Sequence, residues 1–172
     1  GPKRLAITLE KEVVLPEERM SRYRGVVKAD YGLVPKGYAW LFPKAHTVSL
    51  GVGTMSRGFK GLKRRLEEIA AAEGLADLTS SVAARGWVIP YGSKPANLHC
   101  DRALVVGDAA GLADALTGEG IYHALLSADL AAEVITGQIN RPKPDLRDYT
   151  RLVRERIEPE LSAAFRVTRW FY

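Results

Sequence analysis

The stretch Arg102–Ala132, RALVVGDAAGLADALTGEGIYHALLSADLAA, decides how the rest of the chain is read. Ala103–Val106 is a short apolar run bounded by turn residues, the pattern of a buried strand. Gly107 permits a sharp turn that a bulkier residue would obstruct. Asp108 then stands at the strand's carboxyl end, where open α/β sheets bind ligands. Ala109, Ala110 and Gly111 are small enough for a flat or charged group to approach the backbone. A second small-residue turn, Thr117-Gly118-Glu119-Gly120, leads into a helix whose Ile121, Leu125, Ala128 and Ala132 share one face. The start of that helix is expected to offer unpaired N–H groups and positive dipole character, which suit a phosphate.

GDAAG followed by TGEGI and a small-residue helix resembles the third, C-terminal FAD-contacting motif of the geranylgeranyl reductase and FixC-like flavoproteins. These form part of a wider group that includes aromatic hydroxylases. The resemblance implies that Asp108 accepts hydrogen bonds from the ribityl chain of FAD. It also implies that Gly107, Ala109, Gly118, Glu119 and Gly120 form the cofactor cradle. The family often has Pro where this chain has Ala115. A bare Gly-Asp pair would favour a turn that only packs by roughly three to one, but both halves of the motif at the right spacing reverse those odds.

Three further strands are expected in an antiparallel meander, over residues 25–33, 38–42 and 46–53. Pro35-Lys36-Gly37 reads as the first turn, with Pro fixing φ and Gly permitting a positive one. Tyr38, Trp40 and Phe42 occupy alternate positions and so share one face of the second strand. Periodicity alone favours a plain core stripe for them by about two to one. GYAWLFPK, however, also resembles the Tyr-x-Trp-x-Phe-Pro segment of geranylgeranyl reductases, which implies that the three rings line the substrate cavity. In the third strand, Val48, Leu50 and Val52 should oppose Thr47, Ser49 and Gly51. Gly51-Val52-Gly53-Thr54-Met55-Ser56 lacks the third glycine of a dinucleotide fingerprint and reads as a strand-to-loop exit.

Outside the meander, residues 4–14 read as a strand and 59–73 as an amphipathic helix stopped by Gly74, with Lys60, Lys63, Arg64 and Arg65 on a basic side. Residues 82–91 read as a strand in which Pro90 marks an end or an edge, because it cannot donate to a ladder. Its end, Ile89-Pro90-Tyr91-Gly92, resembles the family's Ile-Pro-x-Gly segment. A polar loop spans residues 92–101. The helix after Gly120 should run to about Thr136. Asp145 can cap a last helix from Leu146 to the end, interrupted near Pro159.

A content of 47% hydrophobic and 26% charged residues excludes a disordered chain, and 172 residues suffice for one domain or two small ones. No apolar run is long enough to span a bilayer. A lone cysteine, Cys100, excludes an internal disulfide, so a cytoplasmic setting is the expectation, with membrane association left open. His46, His99 and His123 do not combine with Cys100 in metal-ligand spacing, so no metal is expected. The net charge of +5 is spread out, and no nucleic-acid module signature accompanies it.

The expected fold class is α+β: an antiparallel substrate-domain sheet with flanking helices, plus the last strand–helix unit of an FAD-binding domain, as a fragment of a longer chain. Residues 1–98 would form the substrate-binding sheet and helix, 99–140 the FAD-motif strand and helix, and 141–172 the C-terminal helix. The resemblance implies an FAD-dependent oxidoreductase, most directly a geranylgeranyl reductase that hydrogenates an isoprenoid double bond. A flavin-dependent hydroxylase, a FixC-like electron-transfer dehydrogenase and a non-enzymatic basic binding module remain as alternatives. The expected partners are an isoprenoid or lipid-like substrate and peripheral contact with a membrane, with no nucleic acid. No N-terminal βαβ unit with its glycine-rich turn occurs in the sequence, so the fragment by itself is expected to lack FAD and activity. No residue spacing selects a proton donor, and no catalytic residue is named.

Overall fold

The computed structural model describes residues 4–92 and 97–172. The middle of the polar loop expected over 92–101 therefore lies outside the described residues. Contacts divide the chain into two units: Ala6–Val88, and Ile89–Tyr172 together with the first residues up to Leu5.

The first unit is built on a sheet. Its strands are β1 (Leu5–Val14), β2 (Lys28–Tyr31), β3 (Gly37–Pro43), β4 (Thr47–Thr54) and β5 (Arg85–Pro90), in the order β2-β3-β4-β1-β5. The pairs β1–β4, β2–β3 and β3–β4 are antiparallel, as the meander predicts. β2 is shorter than expected, because Gly25 at φ 70° and Gly32 at φ 100° leave the extended region at either end. β5 is an edge strand, which suits Pro90.

Antiparallel partners point to the same side of the sheet. One side therefore carries Val13, Ala39, Leu41, Val48, Leu50 and Val52, all buried. Helix α2 (Leu62–Ala72) supplies Leu62, Leu66 and Ala70 to the same core. Short helices α1 (Glu17–Met20) and α3 (Ala76–Thr79) flank the sheet, with Met20, Tyr23 and Leu75 completing the cluster. α2 stops where expected. Gly74 takes φ 71°, its N–H bonds Ala71 O at 3.0 Å, and Leu75 N–H bonds Ala70 O at 2.7 Å.

The turn before β3 works differently from its sequence reading. Lys36, not Gly37, takes the positive φ, at 51°. Gly37 already lies in the strand, where a Cβ would come within 1.9 Å of Gly53 O. Glycine is required there for close approach between strands.

The second unit is mostly helical. A two-residue hairpin, β6 (His99–Cys100) with β7 (Ala103–Leu104), precedes a 3-10 turn over Gly107–Ala110. Helices α4 (Ile121–Gln138), α5 (Arg147–Arg156) and α6 (Glu158–Phe171) follow. Their core contains Leu112, Leu130, Val134, Tyr149, Leu152, Val153, Ile157 and Leu161. The interruption expected near Pro159 divides the C-terminal helical stretch into two helices. Ile157 leaves ideal helical geometry at φ −114°, and Pro159 opens α6, where its missing N–H costs no intrahelical bond. Asp145 is not the cap residue of α5, a place taken by Leu146, but its carboxylate accepts from Arg147 N–H at 3.0 Å and from the Arg147 guanidinium. That guanidinium and amide hold the Asp145 carboxyl far below the usual carboxylate range.

Candidate functional site

Gly107, Asp108 and the Gly118–Gly120 turn come together in the second unit. Gly107 sits at φ 55° and its N–H donates to Ser127 Oγ at 3.0 Å, which ties the turn to α4. A Cβ on Gly107 would lie 3.0 Å from Ala124 Cβ, so the backbone packs tightly there. Asp108 is exposed and its carboxylate lies against the neighbouring turn: a Cβ on Gly120 would stand 2.7 Å from Asp108 Oδ1. Ala109, Gly118 and Glu119 are exposed beside it.

Asp114, unremarked in the sequence, knots the second turn. Its Oδ1 accepts from Leu116 N–H and Thr117 N–H, both at 2.8 Å, and from Thr117 Oγ1 at 3.0 Å. The Asp114 amide bonds Glu119 O at 2.7 Å, and the Gly118 amide bonds Asp114 O at 3.0 Å, with Gly118 at φ 73°. An Asp wrapping the next two or three amides is a turn signal readable from sequence. Tyr91 forms a parallel bridge with Ala113, and Gly92 N–H bonds Ala113 O at 3.0 Å, so the Ile-Pro-Tyr-Gly segment borders the same turn.

Three expectations about this region fail. Ala103–Val106 is not a buried strand: only Ala103–Leu104 is extended in a ladder, its partner is the antiparallel β6, and Val105 and Val106 are more than a third exposed. The described residues supply no parallel neighbour to cover the run. The start of α4 is not simply a row of open amides, because the Glu119 carboxylate accepts from Tyr122 N–H at 2.7 Å. It also brings negative charge to the helix start, where a phosphate would otherwise be favoured. Finally, Ile121, Leu125, Ala128 and Ala132 face solvent, while His123, Ser127, Leu130, Ala131 and Val134 face inward. α4 carries apolar residues on both its inward and its outward sides, so its own sequence gives no preferred side. The inward His123 is 2% exposed, and its ring nitrogens each stand 3.8 Å from a carboxylate, Glu119 and Glu160.

The aromatic residues form their own surface in the first unit. Tyr38, Trp40 and Phe42 share the sheet face opposite the α2-packed core, so they are not the core stripe favoured by periodicity. Register adds Tyr31, which pairs with Tyr38. Four rings run in a row, with successive centroids 5.3, 5.9 and 6.1 Å apart. Trp40 is flanked by Tyr38 and Phe42 and lies across β4, above Gly51 and Gly53; a Cβ on Gly51 would fall 2.1 Å from Trp40 Cζ2. The glycine pair read as a strand exit is thus the floor under the indole. Glu10 and Glu12 lie on the same face. Lys44 and Thr47 bond Glu12 and hold its carboxyl below the usual range.

The basic side of α2 is neutralised locally. Arg65 pairs with Glu68 at 2.6 Å, Arg64 with Glu68 at 3.7 Å and Lys63 with Glu67 at 4.0 Å. Among the described residues no His, Cys, Asp and Glu cluster could hold a metal, and no helix is long and apolar enough to cross a membrane.

No family model matches the chain. It is 32% identical over 162 residues to the geranylgeranyl diphosphate reductase of Synechocystis sp., covering 87% of this chain and 38% of that protein. The digeranylgeranylglycerophospholipid reductase of Methanocaldococcus jannaschii is 33% identical over 130 residues, covering 72% of this chain and 33% of the relative. This chain is a homologue of part of the geranylgeranyl reductases. It spans little more than a third of the length of the relatives first matched, among them a Methanosarcina barkeri protein at 36% identity and 36% coverage. The fold agrees. A solved geranylgeranyl bacteriochlorophyll reductase-like protein of Thermoplasma acidophilum superposes with a TM-score of 0.78 at 21% identity, covering 97% of this chain and 43% of that one. A tetracycline destructase superposes at 0.62 with 14% identity, over 98% and 48% of the two chains. The α+β class, with its antiparallel five-stranded sheet, is therefore that of a geranylgeranyl reductase over part of its length.

Proposed function

We propose that the protein containing this chain is an FAD-dependent reductase of isoprenoid carbon–carbon double bonds. The observation that carries this reading is the exposed Asp108 carboxylate lying against Gly120, which joins two motif halves twelve residues apart. A carboxylate accepts hydrogen bonds only, so it suits the hydroxyls of a ribityl chain. Gly107 and Gly118 take the positive φ that their turns require, and the bare Cα of Gly120 leaves open the place beside Asp108 that a Cβ would fill. These residues fit FAD. When bound, FAD supplies hydride to the double bond.

Within this reading Asp108 holds the cofactor through the ribityl hydroxyls, while Gly107, Ala109 and the backbone of Gly118–Gly120 let it approach. The Glu119 carboxylate serves the helix start instead of the cofactor phosphates. Tyr38, Trp40 and Phe42, extended by Tyr31, present a flat apolar wall suited to an isoprenoid chain. The relatives' names specify geranylgeranyl and digeranylgeranylglycerophospholipid substrates. A lipid-like substrate of that kind would be exchanged with a membrane surface by peripheral contact. The exposed apolar side of α4, Ile121, Leu125, Ala128, Ala132 and Ile135, together with Val105 and Val106, would be covered by polypeptide beyond this chain.

The test is Asp108→Ala in the complete protein. Losing a charged acceptor should weaken FAD binding by about tenfold or more, at roughly 1.5–3 kcal/mol per such bond. Flavin absorbance after dialysis and isoprenoid reduction should fall together. Unchanged FAD retention would remove Asp108 from the cofactor site.

A further inference from the structure

The arrangement around Trp40 goes one step beyond the wall itself. Trp40 Nε1–H donates to Ser49 Oγ at 3.1 Å, and Ser49 Oγ–H donates to Glu10 Oε2 at 3.2 Å. Glu10 and Trp40 stand on either side of Gly51, on β1 and β3, and Ser49 lies two residues along β4 on the same face. Ser49 is 7% exposed.

The direction of this relay is dictated by chemistry. The indole has one donor and no acceptor, a hydroxyl has one proton, and an ionised carboxylate only accepts. With Glu10 at the end, the Ser49 proton must point to it, and the Ser49 lone pairs must face Trp40. Turning the indole over would remove its N–H from Ser49 and leave a half-buried donor without that bond. The floor acts together with the relay. Gly51 and Gly53 admit the ring's six-membered edge, which no other residue type at 51 would allow. Trp40 also sits between Tyr38 and Phe42, with Phe42 stacked at 25°. The orientation of this one ring therefore sets the spacing of both neighbours.

We propose that Ser49 and Glu10 are positioning residues that lock the Trp40 indole in one orientation, and that this lock sets the shape of the isoprenoid wall. The second half rests on the proposed reductase function; the first half does not.

The experiment uses the complete protein, with the Trp40 Nε1–H signal assigned in a nitrogen-15 spectrum by its loss in Trp40→Phe. Hydrogen exchange of that N–H reads the lock directly. Ser49→Ala should speed exchange by about fivefold or more, the value of one hydrogen bond of about 1 kcal/mol, and Glu10→Ala, which removes the acceptor that orients the Ser49 hydroxyl, should speed it too. Ser49→Thr, which keeps the hydroxyl, should restore protection. Exchange unchanged in Ser49→Ala and Glu10→Ala overturns the proposal. In the same variants KM for a geranylgeranyl substrate should rise several-fold, with a smaller change in kcat and unchanged FAD content. Faster exchange with unchanged KM would leave the lock in place and overturn the role of this face as a substrate wall.

Discussion

Two glycines show how much depends on what a Cβ would strike. At Gly51 the obstacle is the Trp40 ring, 2.1 Å from the added carbon and held by Ser49. The ring must be expelled, so Gly51→Ala should lower stability by about 1–3 kcal/mol, the usual range for overpacking. Denaturant unfolding checks this, together with a change in Trp40 fluorescence relative to Trp40→Phe. At Gly120 the obstacle is the tip of Asp108, a flexible and exposed side chain. It can rotate away, so Gly120→Ala should leave stability within about 0.5 kcal/mol, as for surface changes generally. Under the proposed function it should nevertheless weaken FAD binding, because the rotated carboxylate no longer meets the ribityl chain. Both contacts were invisible in the sequence, since a glycine has no side chain to suggest its partner.

Elements of the second unit are tied by one phenol. Tyr149 of α5 is fully buried and its hydroxyl donates to Val105 O at 2.8 Å, holding the segment before the Gly107 turn. Tyr149→Phe should cost about 0.5–1.5 kcal/mol, the net value of one hydrogen bond. Burial raises the Tyr149 pKa, and burial with the nearby Glu73 carboxylate raises that of Tyr23. A folded value above the unfolded one, near 10, means the stabilisation is complete below about pH 10 and lost as pH climbs through the folded value. Stability should therefore fall above about pH 10, and less steeply in Tyr149→Phe, as followed by helical circular dichroism. Element types were largely legible, because alternation in β3 and β4 and the Gly74 stop are local patterns. Ends were less so: Gly25 and Gly32 acted where no sequence period warned of them.

For the whole molecule, the two units carry separate cores, one between the sheet and α2 and one among α4, α5 and α6. Leu50→Ala strikes the first core at a side chain with no exposure and should cost about 2–5 kcal/mol by denaturant melting. Leu125→Ser strikes the open face of α4, where Leu125 is 68% exposed. In the 172-residue chain it should change stability by less than about 0.5 kcal/mol. In the complete protein, with that face covered as proposed, the same change should cost well over 1 kcal/mol. Equal effects in the two would show that nothing covers α4. What the sequence by itself determined was periodic or punctuated: the alternating strands, the turn glycines, and the three segments that resemble the reductase family. Only the tertiary structure decided which side of α4 is inward, that Val105 and Val106 lie open, and that Gly51 and Gly53 form a floor. The reason is physical. A helix with apolar residues on both sides has no preferred face until neighbours supply one, and a space made by glycine has meaning only when a ring from another strand fills it.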